Sequence, residues 1–163
     1  MKQPSELKRL ICGAFLFSLG AMMVEVFFTG VQSGPSGSFQ GHISLLMAIL
    51  YWIVYVSSAR LFRLLDRLKL KNRFLRAFAL VFIIYAFEWS FGALCRAAGF
   101  MPWDYTGHGW ATDFSHGNIT LYLAPFWYLY ALIIEPAIRC VRHATNALCD
   151  AGFVSWKGFW TAR

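Results

Sequence analysis

Residues 77–94 read AFALVFIIYAFEWSFGAL, an apolar run free of cations with a single carboxylate, Glu88, set inside it. As a helix it would rise about 27 Å, close to the ~30 Å hydrocarbon core of a bilayer. Polar and apolar positions do not alternate along it, so a barrel strand is excluded and a membrane-crossing helix is predicted. Working outward, Leu10–Phe28, Ile43–Ser58 and Ile119–Ile138 have the same character. The second is short and needs Gly41 and His42 to complete it. The predicted fold is all-α, a polytopic four-helix transmembrane bundle. Its membrane domain covers residues 1–143, and an interfacial tail covers 144–163.

Composition agrees. Of the 163 residues, 58% are hydrophobic and 14% charged, against about 25% charged in a soluble domain. Lys8 and Arg9 ahead of the first run also fit a signal peptide, but the run continues through Phe27 and Phe28 without a clear cleavage site. The four cysteines, Cys12, Cys95, Cys140 and Cys149, show no metal or disulfide spacing. Cys140 and Cys149 would suit palmitoylation, although small reduced thiols need no such role.

The cations set a direction. Lys2, Lys8 and Arg9 precede the first run. Arg60, Arg63, Arg67, Lys69, Lys71, Arg73 and Arg76 lie between the second and third. Arg139, Arg142, Lys157 and Arg163 follow the fourth, and Arg96 stands alone on the other side. The positive-inside rule then places both termini in the cytoplasm. Arg60, Arg63, Arg67 and Lys71 recur at helical spacing beside Leu61, Leu64, Leu65 and Leu68, which predicts an amphipathic interfacial helix. Its cations are compatible with a contact to acidic lipid, although fixing the topology is role enough for them. Membrane lipids are the expected partners, nucleic acid is not, and a homo-oligomer is compatible with the chain.

Carboxylates inside apolar runs are costly and normally partnered. Glu135 has Arg139 one turn later. Glu25, Glu88 and His42 fall toward the non-cytoplasmic half, where the 23-residue stretch Arg96–Asn118 adds Trp103, Asp104, Tyr105, His108, Asp113 and His116. The expectation is a polar pocket of Glu25, His42 and Glu88 under a lid of Trp103–Tyr105, with His116 nearby. No spacing is a metal signature; if a metal bound, Glu25, His42, Glu88 and Asp104 would hold it. No motif names a cofactor. The alternative is a hydrogen-bonded plug that joins helices. Asn118-Ile119-Thr120 fits the glycosylation pattern, but it abuts the fourth run.

EVFFTG around Glu25, GHISLLM from Gly41, FEWSFG around Glu88, PWDYTG from Pro102, GNITL from Gly117 and LIIEP around Glu135 occur in that order. Together they resemble the transmembrane protein 229 family and its bacterial relatives, described as ABC-transporter type IV membrane proteins. The resemblance implies a small multi-pass helical membrane protein and carries no reaction with it. The chain has no Walker A pattern, so it is not itself an ATPase subunit. Three functions are consistent with the residues. One is a binding or transport-associated protein. The second is an enzyme on a lipid or isoprenoid, with Glu88 as acid or base and Asp104 or His42 as its partner. The third is an assembly subunit. The expected location is the cell membrane of a bacterium, or an endomembrane or plasma membrane of a eukaryote.

Overall fold

Where the apolar runs end, the helices do not. The computed structural model describes residues 5–32, 44–106 and 116–151. These contain α1 (Glu6–Gln32), α2 (Leu45–Arg67), α3 (Arg73–Ala97) and α4 (Ala124–Asp150), with a 3-10 turn, Leu121–Leu123, leading into α4. The described residues hold no strand. All four helices are long and apolar enough to cross a membrane. Leu, Arg and Lys are good helix formers, so α2 continues past Ser58 through its first cations.

That continuation revises the amphipathic segment. Residues 60–67 are the last two turns of α2 rather than a separate helix, and Lys71 lies beyond it in a short turn. Phe62 and Leu65 are buried in the protein, whereas Leu64 and Leu68 stay exposed. Lys69 N–H donates to Asp66 O (3.0 Å) and Leu70 N–H to Leu65 O (3.1 Å). This is a Schellman ending with Lys69 at the left-handed position, φ 56°. Asn72 then opens α3, its side chain accepting from Phe74 N at 2.8 Å. At the far end Gly99 and Phe100 repeat the Schellman pattern on Arg96 and Cys95.

The fourth helix starts at Ala124 and not at Ile119. Thr120 is extended, its hydroxyl accepts from Tyr122 N at 3.3 Å, and Pro125 falls in the first turn, where its fixed φ suits a helix start. The helix runs to Asp150, past the boundary drawn at residue 143. Pro136 inside it removes the hydrogen bond that its nitrogen would give the Leu132 carbonyl.

Two compact units divide the chain, Met1–Leu61 with Pro136–Arg163, and Phe62–Glu135. In the first, Ala14, Phe17 and Ser18 are buried on one face of α1. Ser18 donates to the Ala48 carbonyl (3.3 Å), and Phe17 packs on Tyr55 with ring centroids 5.7 Å apart. A Cβ on Gly13 would collide with the Tyr55 hydroxyl, so the small residue sets the approach of α2. Arg142 of α4 lies over the Tyr55 ring at 5.4 Å and donates to Ser58 at 2.7 Å. Arg9 pairs with Asp150 at 2.6 Å.

In the second unit, Arg76 holds three segments. Its Nε and Nη2 each donate to Glu135 at 3.0 Å, and its Nη1 donates to Asp66 at 2.5 Å and to the Leu70 carbonyl at 3.2 Å. Glu135 therefore has a bidentate partner 59 residues away, beyond the Arg139 that the helical spacing offered. Helix α3 is inverted relative to a soluble helix. It buries Ala77, Leu80, Val81, Glu88, Gly92 and Cys95, while Phe78, Phe82 and Trp89 are 57%, 62% and 50% exposed.

A left-handed lysine costs about 1 kcal/mol relative to glycine. Lys69→Gly should therefore raise the thermal midpoint in detergent, by a shift equivalent to up to about 1 kcal/mol. A lower midpoint would show that the side chain contributes something the backbone does not record.

Candidate functional site

Residues 116–120 pass alongside the C-terminal half of α3 as a turn, with His116 and Gly117 at positive φ, that runs into extended backbone at Thr120. His116 O accepts from Arg96 Nη2, Asn118 O from Trp103 Nε1 at 2.9 Å, and Thr120 O from the Tyr85 hydroxyl at 2.9 Å. Tyr105 N–H bonds the intervening Gly117 O at 2.9 Å. A non-helical stretch that sheet neighbours do not cover is thus satisfied by the side chains of Tyr85, Arg96 and Trp103 and by the Tyr105 main chain.

The fit is close. A Cβ on Gly92 would lie 2.9 Å from Asn118 Oδ1, so only glycine admits this side chain against α3. Asn118 is 4% exposed and its Oδ1 accepts from Arg96 Nη2 at 3.4 Å. Gly117 has φ 79°, and a Cβ there would strike Asp104 Oδ1 and approach Thr106 Oγ1 to 2.6 Å. Asp104 Oδ1 accepts from Thr106 N (2.9 Å) and Thr106 Oγ1 (2.6 Å), an Asx turn that shapes the segment.

Glu88 sits beneath. It is 8% exposed, and the Tyr105 hydroxyl donates to its carboxyl group. Its Oε2 is buried with no hydrogen-bond partner among the described residues, as are Arg96 Nε and Trp127 Nε1. Trp103 stacks on Phe91 with centroids 6.1 Å apart, and Phe91 stacks on Phe87 at 5.6 Å. The aromatic wall and Tyr105 make residues 103–106 a cover over this face of α3.

Of the other candidates, Glu25 belongs to the first unit, is half-buried, and accepts a hydrogen bond from the Tyr51 hydroxyl. His116 is exposed at φ 52° and contributes its carbonyl to Arg96. His42, His108 and Asp113 lie outside the described residues. Among the described residues no three His, Cys, Asp or Glu side chains gather as a metal site would require. Sequence reading missed Tyr51, Arg96 and Asn118. The one available signal was an arginine standing alone between the third and fourth apolar runs.

No family model matches the chain, and no curated protein or solved structure matches it.

Gly117→Ala introduces both a left-handed strain of about 1–2 kcal/mol and a collision with Asp104. Its expected effect is release of residues 103–106, read as faster chymotryptic cutting at Trp103 and Tyr105 than in the wild type. Equal cutting in the two proteins would mean that the cover does not depend on this turn.

Proposed function

We propose that the protein is a multi-pass membrane protein of four spans with both termini cytoplasmic. On this reading it is binding or transport-associated, and its Glu88 holds a small ligand in the non-cytoplasmic half. One observation carries the ligand reading. Glu88 is buried, yet one of its two oxygens lacks a partner among the described residues. A buried carboxylate in that state is strongly disfavoured, so the site takes a proton, a cation or a hydrogen-bond donor. Glu88 lies 15 residues beyond Arg73, about 22 Å along α3 from its basic end. The membrane reading is supported by the inverted faces of α3 and by a cation distribution that leaves only Arg96 on the outer side. It accords with the resemblance to the transmembrane protein 229 family, which rests on the quoted stretches.

The enzyme reading asks for an acid–base partner at Glu88; Asp104 Oδ1 accepts from Thr106, and His42 lies outside the described residues. The assembly reading is favoured by the Tyr105 bond, which joins a loop to a helix.

Glu88→Gln decides between binding and assembly, because the amide oxygen preserves the Tyr105 contact while the negative charge is lost. The variant should melt close to the wild type yet lose small molecules that co-purify with the wild type in mild detergent. It should also resist a hydrophobic carbodiimide that modifies Glu88 in the wild type. Unchanged co-purification would leave Glu88 with an assembly role. Topology is checked on a cysteine-free background: a cysteine at position 36 should react with an impermeant maleimide from the outer side. Reaction from the cytoplasmic side alone would reverse the arrangement.

A further inference from the structure

The link from α2 to α3 reads RLKLKNR over residues 67–73, with Arg67, Lys69, Lys71 and Arg73 all exposed. The acidic groups at this end of the unit, Asp66 and Glu135, both face Arg76. The four other cations have no acidic partner among the described residues; Arg73 only lies over its neighbour Phe74, 5.1 Å from the ring centroid. Around them, Leu64, Leu68, Phe74 and Leu75 are each at least half exposed. Four uncompensated cations set among bare apolar side chains match one chemistry: a phosphate with hydrocarbon directly behind it.

We propose that this turn is a docking surface for anionic phospholipid. Arg67, Lys69, Lys71 and Arg73 meet the headgroup phosphates, and Leu68, Phe74 and Leu75 meet the upper acyl chains. The surface rests on the membrane reading and is independent of the role of Glu88. It also differs from an amphipathic helix lying flat in the interface, because the cations gather at a turn whose preceding Phe62 and Leu65 point into protein. Long cationic side chains reach the headgroup level while their stems cover apolar surface. Each cation near an anionic surface contributes roughly a fivefold gain in affinity.

The test uses the full chain in nanodiscs of phosphatidylcholine, with and without phosphatidylglycerol, and reads retained lipid by native mass spectrometry. Wild type should retain phosphatidylglycerol in preference to phosphatidylcholine, and raised salt should weaken the preference. R67Q/K69Q/K71Q/R73Q should lose it, at about fivefold per cation removed. A melt in phosphatidylcholine discs confirms that the variant is folded. If it is not, K69Q/K71Q, changed only in the exposed turn, takes its place and should lose the corresponding part. Equal retention of both lipids by the wild type overturns the proposal. So does an undiminished preference in a folded variant, or complete displacement of lipid by inorganic phosphate, which would make the turn a free-anion site. Failure of the chain to enter phosphatidylcholine discs at all would instead overturn the membrane reading.

Discussion

Three carbonyls of one non-helical segment, those of His116, Asn118 and Thr120, must be satisfied for the chain to cross α3 without a sheet or helix around it. Arg96, Trp103 and Tyr85 do this. Where water is scarce, each buried carbonyl left bare would cost about 1–3 kcal/mol. In hydrocarbon, irregular backbone is tolerated only where protein covers it. The placement of Trp103 and Tyr105 follows from this requirement. The Trp103 ring that donates to Asn118 O also stacks on Phe91, and the Tyr105 residue that bonds Gly117 O also reaches Glu88. The cover over Glu88 is thus a consequence of how the segment's backbone is paired.

The same economy explains why small residues and polar residues share the buried face of α3. Phe78, Phe82 and Trp89 face outward, the arrangement expected against hydrocarbon, which exerts no pressure to bury phenylalanine, and contact between segments comes from close approach and hydrogen bonds. Gly92 admits Asn118, and Gly13 in the other unit admits Tyr55. Each close approach brings polar groups within bonding distance of a partner, as Ser58 and Arg142 do beside Tyr55.

How much could be read in advance divides along the range of the interaction. The four helices were legible because hydropathy is a local property of each run. Their ends were less so. A hydropathy reading stops α2 at Ser58, but charged residues with high helix propensity carry it to Arg67. The turn at Lys69 was hidden for a related reason, since a lysine in the left-handed region contradicts the glycine or asparagine expected there. Partners behaved likewise. Arg139 is visible from Glu135 at one helical turn, whereas Arg76, 59 residues distant, is not. Gly92, one turn beyond Glu88, offers room for an approaching segment, but nothing in the sequence specifies Asn118 as the side chain that fills it.

The three carboxylates within the apolar runs differ in how the fold partners them. Glu135 receives two hydrogen bonds from a guanidinium, so its charge is matched and both oxygens are engaged. Glu25 accepts from the Tyr51 hydroxyl and is only half-buried. Glu88 has a hydroxyl on one oxygen, burial around the other, and no cation bound to it among the described residues. A charge needs a counter-charge, a proton or solvent, and the fold supplies the first to Glu135. Among the described residues nothing supplies it to the buried oxygen of Glu88, and that difference is what the ligand proposal for Glu88 rests on.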